Sequence, residues 1–323
     1  MPAGFASGLH TAFAYVTIEQ VRAAGIPDAG DGGISDDRLR SLIRLVSHWI
    51  NQLTDQWFLP IRLRERTDGD RSAVARIPNL IPILELFNLT LEKPGLFSLV
   101  MPDVAYMVKQ RYVMMLDLHM KLPEQPHFVV LDGVFGWLVD DYVKAKTRTV
   151  APLVVSKTDI TGIPDPKEIL VTSVDGFAVG DAILIGNDPE PRSYPGIVTG
   201  VIDTPPLKII FEPNVPFSLP SGVAVSRYGR VPDLIQHAAM LLIRDKIMGG
   251  WGNIGNYDTS ESPGGIGTRL NSESVEGYSY SLSPLKAING PGGGERTTGN
   301  AEVDDILSQF TWNAGGGLYI GHA

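Results

Sequence analysis

The spacing of apolar residues predicts a long amphipathic helix in the first fifth of the chain. After Ser35, apolar side chains recur every three or four residues, which is the period of one helix face: Leu39, Leu42, Ile43, Val46, Trp49, Ile50 and Leu53. Ser35 is a favourable N-cap residue, and Asp36 and Asp37 follow where carboxylates stabilise a helix start. We expect a helix of about five turns that buries one face.

Three other segments also have helical patterns. Residues 17–24, TIEQVRAA, read as a short helix that Gly25 ends. Residues 232–248 begin with proline and are apolar around most of the helix circumference, which predicts a central, buried helix. Residues 302–310, EVDDILSQF, place their apolar side chains on one side, and Asn300 stands where it can cap them.

Strand patterns lie between these helices. Residues 62–75 predict a hairpin with its turn at 67–70, TDGD, and residues 81–92 predict an apolar strand. Residues 101–120 fit either a strand or a helix. Asp132-Gly133 predicts another turn between strands.

Composition changes between residues 151 and 227, and this change predicts a separate module. Short runs rich in valine and isoleucine, such as EILVTSV, AILIG and LKIIF, are separated by turn residues every eight to twelve positions. This pattern is typical of a small antiparallel barrel or sandwich. Residues 272–283, SESVEGYSYSLS, alternate polar and aromatic side chains as a strand does.

Composition and charge exclude several classes of protein. The chain has 323 residues, of which 43% are hydrophobic and 20% charged, and this composition is that of a globular protein. It lacks cysteine, so it forms no disulfides. Charged and proline residues interrupt its most apolar stretch, so we expect no membrane span. The N-terminus lacks the features of a secretory signal. A net charge of −9 argues against holding nucleic acid by its phosphates, but it suits a wall along which DNA slides.

No motif for catalysis or metal binding stands out. The glycine runs lack the lysine of a phosphate-binding loop, and no G-x-S-x-G marks a nucleophilic serine. The pairs Asp140-Asp141 and Asp304-Asp305 are adjacent in sequence, so their side chains diverge in a strand or a helix. The six histidines form no H-x-x-x-H pair. We therefore expect no enzyme activity, no cofactor and no metal.

Six segments together resemble the head-to-tail adaptor, or connector, family of tailed bacteriophages. The likeness begins at TIEQVRAAGI and DDRLRSLIRLVSHWINQLTDQWFLP, and it continues with RLRERTDGD. It resumes at YGRVPDLIQHAAMLLIRDKI and ends with SESVEGYSYSLS and TGNAEVDDILSQF. The segments follow the family's order along the chain.

The resemblance implies an α+β fold, with a helical-bundle adaptor core that carries a projecting β-hairpin and an inserted small antiparallel β-barrel or sandwich domain. The core would comprise residues 1–150 and 228–323, which end in a C-terminal docking tail, and the inserted domain residues 151–227. Adaptors form a ring of twelve copies below the portal protein, and the ring extends the DNA channel toward the tail.

The same resemblance implies where the protein acts and what it contacts. It would be a structural protein of the virion neck, assembled in the host cytoplasm. Its partners would be other copies of itself, the portal protein, and tail or neck proteins. Double-stranded DNA would pass through the lumen without specific binding.

Two groups of residues follow from the resemblance as candidate contacts. Apolar anchors for docking on the portal would lie at the end of the chain: Phe310, Trp312, Leu318, Tyr319 and Ile320. Aromatic side chains for packing between subunits would lie in the helices and strands: Trp49, Trp57, Phe58, Tyr278 and Tyr280.

Two alternatives remain open at this point. Another neck or tail completion protein, such as a stopper or tail terminator, would follow the same physics with different neighbours. A carbohydrate-binding or hydrolytic virion protein would use the β-module to grip a glycan. The small number of aromatic residues in that module argues against this second alternative: Phe177, Tyr194, Phe211 and Phe217.

Overall fold

A computed structural model describes most of the chain between residues 14 and 310. The described residues are 14–26, 33–68, 74–76, 81–93, 97–103, 106–109, 112–116, 122, 128–139, 145–153, 168–186, 193–213, 215, 218–248, 272–275, 278–281, 288–289, 295–296, 298 and 300–310.

Most of the strands lie between the second and the third helix. The helices are α1 (Ile18–Ala23), α2 (Asp36–Thr54), α3 (Asp233–Met248) and α4 (Ala301–Ser308). The strands that lie between α2 and α3 are β1 (Ile61–Thr67), β2 (Val74–Arg76), β3 (Ile83–Lys93), β4 (Phe97–Val100), β5 (Tyr106–Lys109), β6 (Tyr112–Met115), β7 (Val129–Phe135), β8 (Ala145–Arg148), β9 (Glu168–Leu170), β10 (Asp181–Gly186), β11 (Ser193–Ile202), β12 (Lys208–Glu212) and β13 (Ala224–Arg230). Those that follow α3 are β14 (Ser272–Val275), β15 (Tyr278–Ser281), β16 (Ile288–Asn289) and β17 (Glu295–Arg296).

The chain divides into two compact units. One, the sheet unit, comprises Met1–Thr17 and Gln56–Pro232. The other, the helical unit, comprises Ile18–Asp55 and Asp233–Ala323. The helical unit is therefore built from two separate parts of the chain, and the sheet unit is the longer of the two.

The four predicted helices are confirmed, and they pack together in the helical unit. The apolar positions predicted for α2 are buried, apart from the half-buried Trp49. Ser35 has the extended backbone of an N-cap residue, but its side chain makes no capping hydrogen bond. Asn300 does cap α4, because its side-chain oxygen accepts from the backbone N–H groups of Glu302 and Val303.

Polar contacts connect α3 to its neighbours in the helical unit. The Lys246 ammonium lies 5.0 Å from the ring centroid of Trp49, which joins α3 to α2. Asn300 Nδ2 donates to Asp245 Oδ2 at 2.7 Å, which joins the start of α4 to α3. His237 Nε2 lies 3.0 Å from Glu302 Oε1, so this imidazole is a surface contact between two helices.

A four-stranded antiparallel sheet in the sheet unit has the order β1-β7-β3-β4. Its strand β7, VVLDGVF, is buried at every residue except Asp132, which suits a strand that is paired on both edges. A second sheet, with the order β2-β6-β5, contains the segment that fitted either a strand or a helix. Residues from both sheets form one hydrophobic core.

The predicted hairpin and the predicted turn at Asp132-Gly133 are wrong, because the strands pair over longer distances. β1 pairs with β7 and β2 pairs with β6, so residues 62–75 do not form the predicted projecting hairpin. β7 also runs straight through Asp132-Gly133. β7 has a partner on each edge, β1 and β3, and both lie far from it in sequence.

A six-stranded antiparallel sheet, the barrel sheet, has the order β8-β13-β10-β11-β12-β9. Its end strands meet, because Val150 donates to the carbonyl of Leu170 at 2.8 Å and Thr172 donates to that of Arg148 at 3.0 Å. A core of buried apolar side chains fills its interior. The runs predicted as a small barrel belong to this sheet, which also takes in β8 before residue 151 and continues to the end of β13.

The predicted fold class is wrong. The molecule is mostly β-sheet, and its four described helices are the smaller part rather than a helical-bundle core with a small inserted β-domain. The prediction failed between α2 and β8, where apolar runs that were predicted as strands were assigned to a core made mainly of helices. They form two sheets of the sheet unit instead, because strand partners are chosen by long-range packing that a local pattern does not contain.

Candidate interaction surface

The last strand of the four-stranded sheet exposes apolar side chains. β4 pairs only with β3 among the described strands, from Thr90↔Val100 to Lys93↔Phe97. Leu99 is 51% exposed and Val100 is 60% exposed. Because successive side chains of a strand point to opposite faces, Leu99 and Val100 expose apolar surface on both faces of β4.

The last strand of the three-stranded sheet has the same property. β5 pairs with β6, and no other described strand pairs with it. Met107 and Val108 are each 40% exposed. Residues 101–105 alone separate β4 from β5 along the chain. We call the exposed side chains of these two strands the open-edge patch: Leu99, Val100, Met107 and Val108.

The opposite edge of the four-stranded sheet carries charges instead. On β1, Arg62 pairs with Asp132 at 3.1 Å, while Arg64 and Arg66 both pair with Glu92, at 2.6 and 3.0 Å. Charged side chains on an edge strand oppose the addition of a further strand. One edge of this sheet is thus protected by arginines, and the described part of the other edge is apolar.

This contrast indicates what the open-edge patch can do chemically. An edge strand presents unpaired backbone N–H and C=O groups, and apolar side chains beside them add burial to any strand that pairs there. Burial of apolar surface stabilises association by about 25 cal/mol for each Å² removed from water. The patch therefore suits strand addition by another polypeptide.

The structure describes the side chains of three of the five predicted subunit-packing residues. Trp49 is half-buried beneath Lys246 in the helical unit. In the sheet unit Trp57 is half-buried, and its carbonyl accepts from Trp137 N–H at 2.7 Å. Phe58 is fully buried and makes an edge-to-face contact with Tyr15, with 5.5 Å between ring centroids. Phe58 thus lies in the core of the sheet unit.

The remaining predicted contacts fall at the C-terminal end. Phe310 is a buried residue of the helical unit directly after α4, and its N–H donates to Leu307 at 3.0 Å. Tyr278 and Tyr280 lie on β15, which pairs with β14 as a hairpin, and their side chains lie outside the described atoms. Four residues lie outside the described part of the chain: Trp312, Leu318, Tyr319 and Ile320.

The open-edge patch has no distinct signal in the sequence. Its residues belong to short apolar runs that also fit central strands, and only the order of strands in the sheets identifies them as edges. The absence of charge in FSLV, residues 97–100, could not identify the edge, because central and unprotected edge strands share it.

Comparison of the chain with models of protein families and with curated protein sequences finds no match. In the described residues, none of the helices has the length and apolar character needed to cross a membrane. The same residues contain no group of three or more histidines and carboxylates arranged to hold a metal ion.

Proposed function

We propose that the protein is a non-enzymatic head-to-tail adaptor of a tailed bacteriophage. In this proposal twelve copies form a ring at the virion neck, after assembly in the host cytoplasm. The ring docks on the portal protein and extends the DNA channel toward the tail and neck proteins. The observation that carries the proposal is the open-edge patch, since it is apolar surface that a single copy leaves in contact with water.

The helical unit supports the proposal as well. Three segments on which the family resemblance depends form α1, α2 and α3, and a fourth forms α4, each within two residues of the bounds that its pattern predicted. They come together from two distant parts of the chain into one unit. This arrangement fits an adaptor in which a large sheet unit is inserted between α2 and α3 along the chain.

The occupant that we propose for the open-edge patch is a second copy of the chain. A contact between two different surfaces of identical copies repeats around an axis, and it forms a ring where the rotation from copy to copy closes. The arginines of β1 oppose strand addition at the far edge of the same sheet, so association would be directed to the β4 and β5 edges.

Charge and the C-terminal residues complete the proposal. The chain has 36 acidic and 27 basic residues, so a ring of copies would repel DNA phosphates and favour passage over binding. Residues 311–323 would dock on the portal, with the aromatic and aliphatic side chains among them as anchors.

Substitution of Val100 tests the lateral contact. We expect Val100→Lys to weaken self-association at least about 10-fold, because a buried, unpaired ammonium costs more than about 1.4 kcal/mol. Val179→Lys is the matched control, since Val179 is also a 60% exposed valine but lies next to the barrel sheet. Sedimentation velocity of the full chain over a range of concentrations measures both effects.

Two results would count against the proposed contact. One is wild-type protein that stays a single copy at every concentration. The other is an equal loss of association in both lysine variants, which would show that the added charge acts without regard to the β4 edge.

A further inference from the structure

A cleft of about 580 Å³ lies in the sheet unit, between β3 and the barrel sheet. Volumes in this range are typical of small-molecule sites. Most of the residues that line it are polar. They come from β3, β8 and β13 and from the segment after β9, and they include Glu85, Phe87, Lys146, Arg148, Thr172 and Ser226. A polar lining suits a ligand rich in hydroxyl groups better than a lipid.

Two β-bulges direct β3 toward this cleft. The pairing of β3 with β7 slips between Ile83 and Glu85 and again between Leu86 and Asn88, so Leu84 and Phe87 have no partner residue on β7. Bulges turn side chains away from the regular alternation, and they are over-represented beside functional sites. Here the strand residues on or next to the bulges, Glu85 and Phe87, both line the cleft.

Gly133 makes this path of β3 possible. The glycine lies on β7 opposite the bulged segment, and a Cβ there would lie well inside van der Waals contact of the Glu85 carbonyl oxygen. Only a residue without a side chain allows the two backbones to approach this closely. The shape of the cleft wall therefore depends on a glycine in a neighbouring strand.

The Glu85 carboxylate is held in place by two donors. Lys146 Nζ donates to Oε1 and the Tyr228 hydroxyl donates to Oε2, each at 2.6 Å. Tyr228 is fully buried, and burial, together with the Glu85 carboxylate, raises the pKa of its phenol well above the usual range. Tyr228 thus remains a donor to Glu85 at alkaline pH.

Phe87 and Arg148, which also line the cleft, are held by contacts as well. The Arg62 guanidinium lies 5.4 Å from the Phe87 ring centroid and pairs with Asp132, which holds the aromatic ring. Arg148 Nη1 donates to the Gly222 carbonyl at 2.7 Å. The cleft therefore presents an aromatic ring, a carboxylate and two cationic side chains in defined positions.

We propose that this cleft binds an acidic saccharide, that is, a sugar ring bearing a carboxylate. The ring face of Phe87 is electron-rich and attracts the polarised C–H face of a sugar. Glu85 accepts hydrogen bonds from sugar hydroxyls, while Arg148 and Lys146 pair with the carboxylate of the ligand. The lining holds two cations and one carboxylate, which favours an anionic sugar over a neutral one.

Titration calorimetry of the full chain at low salt tests this proposal with trigalacturonic acid and its neutral methyl ester. We expect binding of the acid with a Kd of about 1 mM or tighter, and at least about 10-fold weaker binding of the ester. Arg148→Met should weaken binding of the acid about 10-fold, while Arg148→Lys should retain part of it. Lys208→Met is the control, because Lys208 lies on β12 and pairs with Glu168 outside the cleft.

Phe87→Leu adds a readout that does not depend on charge. It should weaken binding of the acid several-fold, and circular dichroism and thermal melting establish that each variant is folded. Failure of the acid to bind, equal binding of the ester, or equal effects of Arg148→Met and Lys208→Met would overturn the proposal. None of these outcomes bears on ring formation, which the β4 edge variants test separately.

Discussion

Replacement of Gly133 by alanine is expected to destabilise the sheet unit by about 3 kcal/mol, at the upper end of the cost of overpacking a core. The new Cβ would collide with the backbone of β3 at Glu85, where no flexible side chain can move aside. β7 or β3 would have to shift, and this would disturb the pairing of the central strand of the four-stranded sheet. The midpoint of denaturant unfolding measures the change.

Gly200→Ala is the control for this prediction. Gly200 also lies in a strand, β11, but the nearest atom to an added Cβ is the terminal methyl of Ile210, at 3.1 Å. That side chain can rotate, so we expect a loss of less than about 1 kcal/mol. Equal stability of Gly133→Ala and the wild-type protein would contradict the bulged geometry of β3.

Asp181→Ala is expected to cost about 3 kcal/mol, because it breaks the ion pairs of a fully buried carboxylate in the barrel sheet. The Asp181 side chain is fully buried at the start of β10. Its Oδ2 accepts from Ala178 N–H at 2.6 Å and pairs with Arg227 at 2.9 Å, while its Oδ1 lies 3.4 Å from Arg230. Removal of the carboxylate takes this acceptor away from Arg227, which is mostly buried, and from the partly buried amide of Ala178.

Glu168→Ala is the matched control on the same sheet. Glu168 pairs with Lys208 at 2.8 Å, but its side chain is 52% exposed. Exposed ion pairs contribute less than about 1 kcal/mol, so this variant should unfold close to the wild-type midpoint. Thermal unfolding followed by circular dichroism compares the two substitutions, and similar shifts for both would show that burial of Asp181 adds nothing.

The helices could be predicted from the sequence because their signals are local. The period of apolar positions identified α2, and the cap predicted at Asn300 starts α4. Each signal lies within a few turns of the helix that it defines. Their assembly into a unit from two distant parts of the chain could not be predicted in this way, since it depends on contacts between helices that are far apart in sequence.

The sheets were harder to predict, and Gly133 explains part of the reason. Asp-Gly is a strong turn signal, but here the glycine provides clearance for the bulged strand β3. Likewise TDGD, residues 67–70, suggested that β1 and β2 pair with each other, although each strand has a distant partner. The same residue types serve turns and close backbone contacts, and only the strand pairing distinguishes the two uses.

The two candidate surfaces depend on this same long-range information. The open-edge patch exists because β4 and β5 are the last strands of their sheets. The cleft brings Glu85 next to Lys146 and Tyr228, which lie 61 and 143 residues further along the chain. Neither set of residues forms a motif that can be read along the sequence.

Electron microscopy of the purified full chain, alone and mixed with portal protein, tests the adaptor proposal most directly. Class averages should show closed rings of twelve copies, and the mixture should show these rings stacked coaxially on one face of the portal. Particles the size of a single chain, together with portal that carries no added density, would contradict it.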